Sequence, residues 1–138
     1  DSICLFTGPV PYEEVPDYVN ACDAMVAPYN PSLSPIRASR GMGSPLKVLE
    51  YMACAKPVVT TNLEPTNRIP GISEAAVLVP PGDSDALAGS LRALLLGPER
   101  AGTMGEAGRA LVERGYSWRE FAVRLHGILE EVASGERS

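Results

Sequence analysis

The sequence predicts an α/β domain: a parallel sheet covered by helices. Three observations predict it. Short apolar runs recur along the chain and are continuous instead of alternating, as strands buried on both faces are. Segments with helical apolar spacing lie between the runs. After the last run the pattern turns to helix on helix, so the sheet comes first and terminal helices follow.

Four runs read as strands: residues 3–6, Met25–Ala27, residues 58–60 and Ala76–Val79. Residues 12–22 read as a helix because Val15, Tyr18 and Val19 share a stripe, with Pro16 confining the start. Residues 45–54 read as a second helix, apolar nearly all round and therefore expected to be buried. Residues 83–96 carry Leu87, Leu91, Leu94 and Leu95 at helical spacing. Residues 100–114 read as a short helix broken near Gly115. Ser117 and Glu120 form a capping box ahead of Trp118, Phe121, Leu125, Ile128, Leu129 and Val132, an amphipathic stripe, with fraying expected from Ala133. Four strands make a narrow sheet. The chain starts at Asp1 and enters an apolar run at once, so further strands are expected before it, as in a domain of a longer protein.

Composition narrows the function. The chain has 138 residues, 45% of them hydrophobic and 21% charged, which suits one domain with a real core and no disordered tail. A net charge of -5 with 12 Lys and Arg makes general nucleic-acid binding a poor fit. Cys4, Cys22 and Cys54 form no CxxC pair, their odd number argues against a disulfide framework, and with His126 alone they make no zinc site of the usual kind. The thiols suit a reducing cytosol. No apolar stretch approaches the ~20 residues of a membrane span, and no signal peptide is visible. His126 reads as a surface or interdomain residue, because no acid and nucleophile accompany it. Trp118 reads as a packing anchor for its helix and Cys54 as a small core residue.

The informative segment is Gly41 to Ala53. Ser44 suits an N-cap, Pro45 the first helical position, and Gly43 a close backbone approach. The amides of Leu46, Lys47 and Val48 would then face outward at the positive end of the helix dipole, a phosphate-sized site with the Lys47 ammonium near. Ser44 and Pro45 equally suit a plain helix start. Glu50 is an acid among apolar neighbours. Its i, i+3 spacing allows a pair with Lys47; alternatively, its carboxylate accepts hydrogen bonds from ribose hydroxyls of a nucleotide lying along the helix. The preceding loop, residues 28–43, is long, rich in Pro, Ser and Gly, and follows a strand, which is where ligands bind in open α/β sheets. Glu64, Asn67 and Arg68 sit in a loop on the same side and read as solvated.

With these residues in view the chain resembles a known family. Phe6-Thr7-Gly8-Pro9-Val10, Tyr12 to Tyr18, Ala21 to Pro28, Leu49 to Thr61, Val79-Pro80-Pro81-Gly82-Asp83 and Tyr116-Ser117-Trp118 follow its order. Together they resemble the C-terminal, donor-binding domain of a group 1 glycosyltransferase (glycosyltransferase family 4), one of the two Rossmann-like domains of a GT-B fold. The resemblance covers nearly the whole of residues 1–138. It implies transfer of a sugar from a UDP-, GDP- or ADP-sugar, with retention, no bound metal and no bound cofactor. It places Glu50 on the ribose, Gly43, Ser44, Leu46, Lys47 and Val48 on the phosphates, and Val10 beside the base. No catalytic residue is assigned in this half. The helix over residues 117–133 would cross toward an N-terminal acceptor domain, the partner this chain lacks. The basic pair for the diphosphate would also lie before Asp1. Location is expected to be cytoplasmic, with any contact at the inner membrane face made through the absent half.

One departure matters. The family's first Glu should fall at position 42, where this chain has Met42. The Gly-Ser-Pro-Leu-Lys form is similar to a branch that has Lys before the second Glu and lacks the first acid. The competing readings are a non-catalytic nucleotide-binding or interaction module and part of a GT-B sugar-nucleotide epimerase.

Overall fold

A computed structural model of the chain describes residues 3–33 and 45–135. Three strands, β1 (Met25–Ala27), β2 (Val58–Thr61) and β3 (Ala76–Val79), form one sheet in the order β1-β2-β3. Both pairings are parallel, with Met25 opposite Val58 and Val58 opposite Ala76. The helices are α1 (Val15–Asn20), α2 (Leu46–Ala53), α3 (Ile72–Ala75), α4 (Ser84–Leu96), α5 (Pro98–Gly115) and α6 (Trp118–Ser134).

Every residue of β2 is buried, as a continuous apolar run demands of a central parallel strand. Its side chains alternate between two cores. On one face Val58 joins Ala27, Val48, Met52, Ile69, Ile72, Ala75, Ala76 and Leu111, so α2, α3 and α5 cover that side. On the other Val59 joins Val79, Leu94 and Met104 with Leu87 and Leu91, so α4 covers that side. Leu87, Leu91 and Leu94 of the α4 stripe face the sheet as their spacing requires, whereas Leu95 is exposed, and Asp83 Oδ1 caps the helix by accepting from the Ala86 amide at 2.8 Å. Ser117 Oγ likewise accepts from the Glu120 amide at 3.2 Å at the start of α6.

Two glycines set how closely α5 approaches α2. A Cβ at Gly105 would lie 2.0 Å from the Ala55 carbonyl oxygen, and one at Gly108 would lie 3.0 Å from Met52 Cγ. Ala55 itself has φ of 54°, in the left-handed region, where it closes α2. Its amide donates to the Met52 carbonyl at 2.8 Å and the Lys56 amide to the Tyr51 carbonyl at 3.2 Å, the paired bonds of a Schellman stop.

Several expectations need correction. Residues 3–6 form no strand: Ile3 is 102% and Phe6 92% exposed, and the sheet of the described residues has three strands. An apolar run becomes a strand only beside a partner ladder, and among the described residues the only strand paired with β1 is β2. The segment from residue 12 opens as a 3-10 turn, Tyr12–Glu14, before α1 begins at Val15. Helix α2 is buried on one stripe only: Val48 and Met52 are 0% exposed, whereas Leu46 and Ala53 face solvent. Helix α5 is longer than residues 100–114, because Pro98 preorganises its first turn. Trp118 is no packing anchor; it is 80% exposed, and its ring meets that of Phe121 edge to face at 5.9 Å.

Candidate functional site

The carboxyl ends of the three strands and the start of α2 define the candidate site. Gly43, Ser44 and Met42 lie outside the described residues. Helix α2 starts one residue later than the sequence suggests: Pro45, with φ -79° and ψ 41°, is the N-cap and not the first helical residue. Its carbonyl accepts from the Val48 amide at 2.9 Å and from the Leu49 amide at 3.1 Å. The Val48 amide therefore has an acceptor within the first turn of the helix. The amides of Leu46 and Lys47, in the first turn, have no acceptor among the described residues.

One turn further in stands Glu50, half-buried. Its carboxylate makes no hydrogen bond or ion pair with the described residues, and no bridge to Lys47 forms; the Lys47 side chain is exposed. Glu50 stands two residues beyond the fully buried Val48. Beside it the Tyr51 phenol is pushed up from its ordinary pKa, first by burial and then by the neighbouring Tyr29, Glu50 and Cys22. Leu46, Lys47, Val48 and Glu50 thus share two turns of one helix. Val10 stands on a separate segment ahead of α1 and is half-buried.

The strand ends are laced together by groups the sequence did not single out. The Tyr29 amide donates to Thr61 Oγ1 at 2.8 Å, and Thr60 Oγ1 donates to the Ala27 carbonyl at 3.0 Å. The Asn62 amide continues the sheet to the Val79 carbonyl at 2.7 Å. Asn30 Oδ1 accepts from the Ser32 amide at 3.0 Å, and its amide nitrogen packs over Gly82, whose φ is 75°. The available signal was the turn of an apolar run to Thr-Thr-Asn at the carboxyl end of β2. Glu64 and Arg68 pair with one another, and Asn67 donates to Asn62 Oδ1 at 3.0 Å, so that loop is solvated and self-satisfied as expected. A separate groove of about 430 Å³, lined by Val77, Pro80, Gly89, Leu94 and Arg100, lies between β3 and α4 on the face away from α2 and is apolar. His126 is exposed, 3.4 Å from Glu130. Cys54 is half-buried. Among the described residues no helix is long and apolar enough to cross a membrane.

A three-stranded parallel sheet with helices on both faces, and a helix start set over the strand ends, is the architecture of one half of a GT-B enzyme. The family model for glycosyl transferases group 1 matches residues 1–96, and the chain belongs to that family. Two curated relatives agree. A Bacillus subtilis (strain 168) protein named as a teichuronic acid biosynthesis glycosyltransferase is 38% identical over 65 residues, covering 47% of this chain and 15% of its own length. The phosphatidyl-myo-inositol mannosyltransferase of Mycobacterium leprae (strain TN) is 37% identical over 87 residues, covering 63% of this chain and 23% of its own. The solved structure of sucrose-phosphate synthase from Thermosynechococcus elongatus superposes on 96% of this chain with a TM-score of 0.79 at 26% identity. The match covers 31% of that chain, so the present sequence spans less than a third of the proteins it resembles.

Proposed function

We propose that this chain is the donor-binding domain of a retaining glycosyltransferase that takes a UDP-, GDP- or ADP-sugar. The observation that carries the reading is Glu50: a half-buried carboxylate, without a partner among the described residues, one turn inside a helix whose first two amides have no acceptor among them. A donor lying along α2 would set its diphosphate on the Leu46 and Lys47 amides, with the Lys47 ammonium as counter-charge and the positive end of the helix dipole behind them. Glu50 would take both ribose hydroxyls, each hydrogen bond to the charged acceptor being stronger than a neutral one. In this reading the domain binds and orients the donor. The acceptor and the remaining chemistry belong to a second domain of a longer protein, against which the apolar face of α6 would pack. The family and the strand-end position of the site support this.

The test is an amide NMR titration of the chain with UDP, GDP and ADP in turn, then with their sugar conjugates. Shifts gathered on residues 45–50 for one nucleotide are expected, and Glu50→Gln should weaken that binding about tenfold or more. The same variant should leave stability within about 0.5 kcal/mol of wild type, because the Glu50 carboxylate makes no hydrogen bond or ion pair among the described residues. Absence of shifts with every nucleotide at millimolar concentration would favour the non-catalytic module, the reading that Met42 in place of the family's first Glu keeps open.

A further inference from the structure

Two threonines end β2 side by side, and their hydroxyls serve different parts of the chain. Because strand side chains alternate, Thr60 and Thr61 point to opposite faces of the sheet. They are 0% and 2% exposed. The Thr60 hydroxyl bonds the Ala27 carbonyl, inside β1, and so fastens strand to strand. The Thr61 hydroxyl bonds the Tyr29 amide, two residues beyond the last residue of β1, and so fastens the strand to the loop. Tyr29 in turn packs against the core beside Tyr51, the neighbour of Glu50 on α2. Asn30 follows it and reaches Gly82 in the turn after β3.

Resting on the donor-site reading above, we infer that Thr61 is a positioning residue for nucleotide binding: its hydroxyl fixes the backbone at Tyr29 and Asn30, and with it the loop that leaves β1 at the strand ends where the ligand would lie. Thr60 is its built-in control. It is as deeply buried, is on the same strand, and also bonds toward β1, yet it holds only the sheet. Substituting Thr61 by Val keeps shape and burial but removes the acceptor, leaving the Tyr29 amide without its partner. The loop can answer by moving; the strand held by Thr60 cannot, because the β1–β2 ladder remains.

The experiment compares wild type, Thr61→Val, Thr61→Ala, Thr61→Ser and Thr60→Val in the 138-residue chain. Two quantities are read by NMR: amide hydrogen exchange, and affinity for whichever of UDP, GDP or ADP the wild type binds. Exchange at Tyr29 should accelerate in Thr61→Val and Thr61→Ala while the β2–β3 ladder amides keep their protection. Affinity should fall about tenfold in both, the equivalent of one lost hydrogen bond, and return to within about twofold of wild type in Thr61→Ser. Thr60→Val should lower Tm and leave affinity within about twofold. Unchanged Tyr29 exchange in Thr61→Val, or accelerated exchange with unchanged affinity, overturns the inference. So does an equal loss of affinity in Thr60→Val, which would mark both as general supports of the sheet. A wild type that binds none of the three nucleotides overturns the donor-site reading and this inference with it, and is recognised before any variant is made.

Discussion

At the scale of single residues, cost marks function and stability differently. Glu50 could be picked out from sequence because an acid flanked by Leu49, Tyr51 and Met52 contradicts its surroundings. Thr61 could not, because a threonine in a strand contradicts nothing, and only the fold brings Tyr29 to its hydroxyl. Tyr51 yields a pH prediction. Its folded pKa lies above the ordinary value of 10.0, so the folded state holds the phenolic proton more tightly than the unfolded chain does. Its contribution is fully present below that ordinary value and is lost as pH rises through the folded one. Thermal melts across the alkaline range should show stability falling from about pH 10 upward, and Tyr51→Phe should flatten that fall. Ala55 yields a second. An alanine held at φ 54° bears a left-handed penalty that glycine does not. Ala55→Gly should raise stability in urea by about 0.5–1 kcal/mol, the strain relief exceeding the added chain entropy.

Elements were legible where a local signal sufficed. The α4 start followed from Asp83 and the α6 start from Ser117, since each cap is a contact across three residues. Asp83→Ala should cost about 1 kcal/mol in chemical denaturation. The strands Met25–Ala27 and Ala76–Val79 were legible because both are continuous apolar runs that find partners in β2. Residues 3–6 carry the same pattern and form no strand, because pairing is a property of two segments and a run describes only one. The start of α2 was misplaced by one residue for a related reason. Proline suits either the cap or the first turn, and the doubled acceptance at the Pro45 carbonyl decides it. The contact between α5 and α2 could not be read at all, since Gly105 looks like any helical glycine until the Ala55 carbonyl is set against it. Gly105→Ala should cost about 2–3 kcal/mol, the neighbouring backbone having to move, and a denaturation midpoint would measure it.

The molecule as a whole shows an imbalance between its two sides. The sheet and its covering helices bury a two-sided core, while α6 keeps Trp118, Phe121, Leu125, Ile128, Leu129 and Val132 in solvent. It is tied to α5 through Arg124, whose Nη2 donates to the Gly115 carbonyl at 2.6 Å. Leu125→Asp with Leu129→Asp should leave the stability of this chain within about 0.5 kcal/mol, and Trp118 emission should be quenched readily by iodide. Shielding of Trp118 in a longer protein of the family would mark the face as an interdomain contact. The approach of Gly105 to Ala55 also has a mechanical meaning. It brings backbone against backbone at the carboxyl end of α2, leaving no side chain to yield between them. That end is a fixed bearing. Leu46 and Lys47 stand at the opposite end of α2, away from this backbone contact.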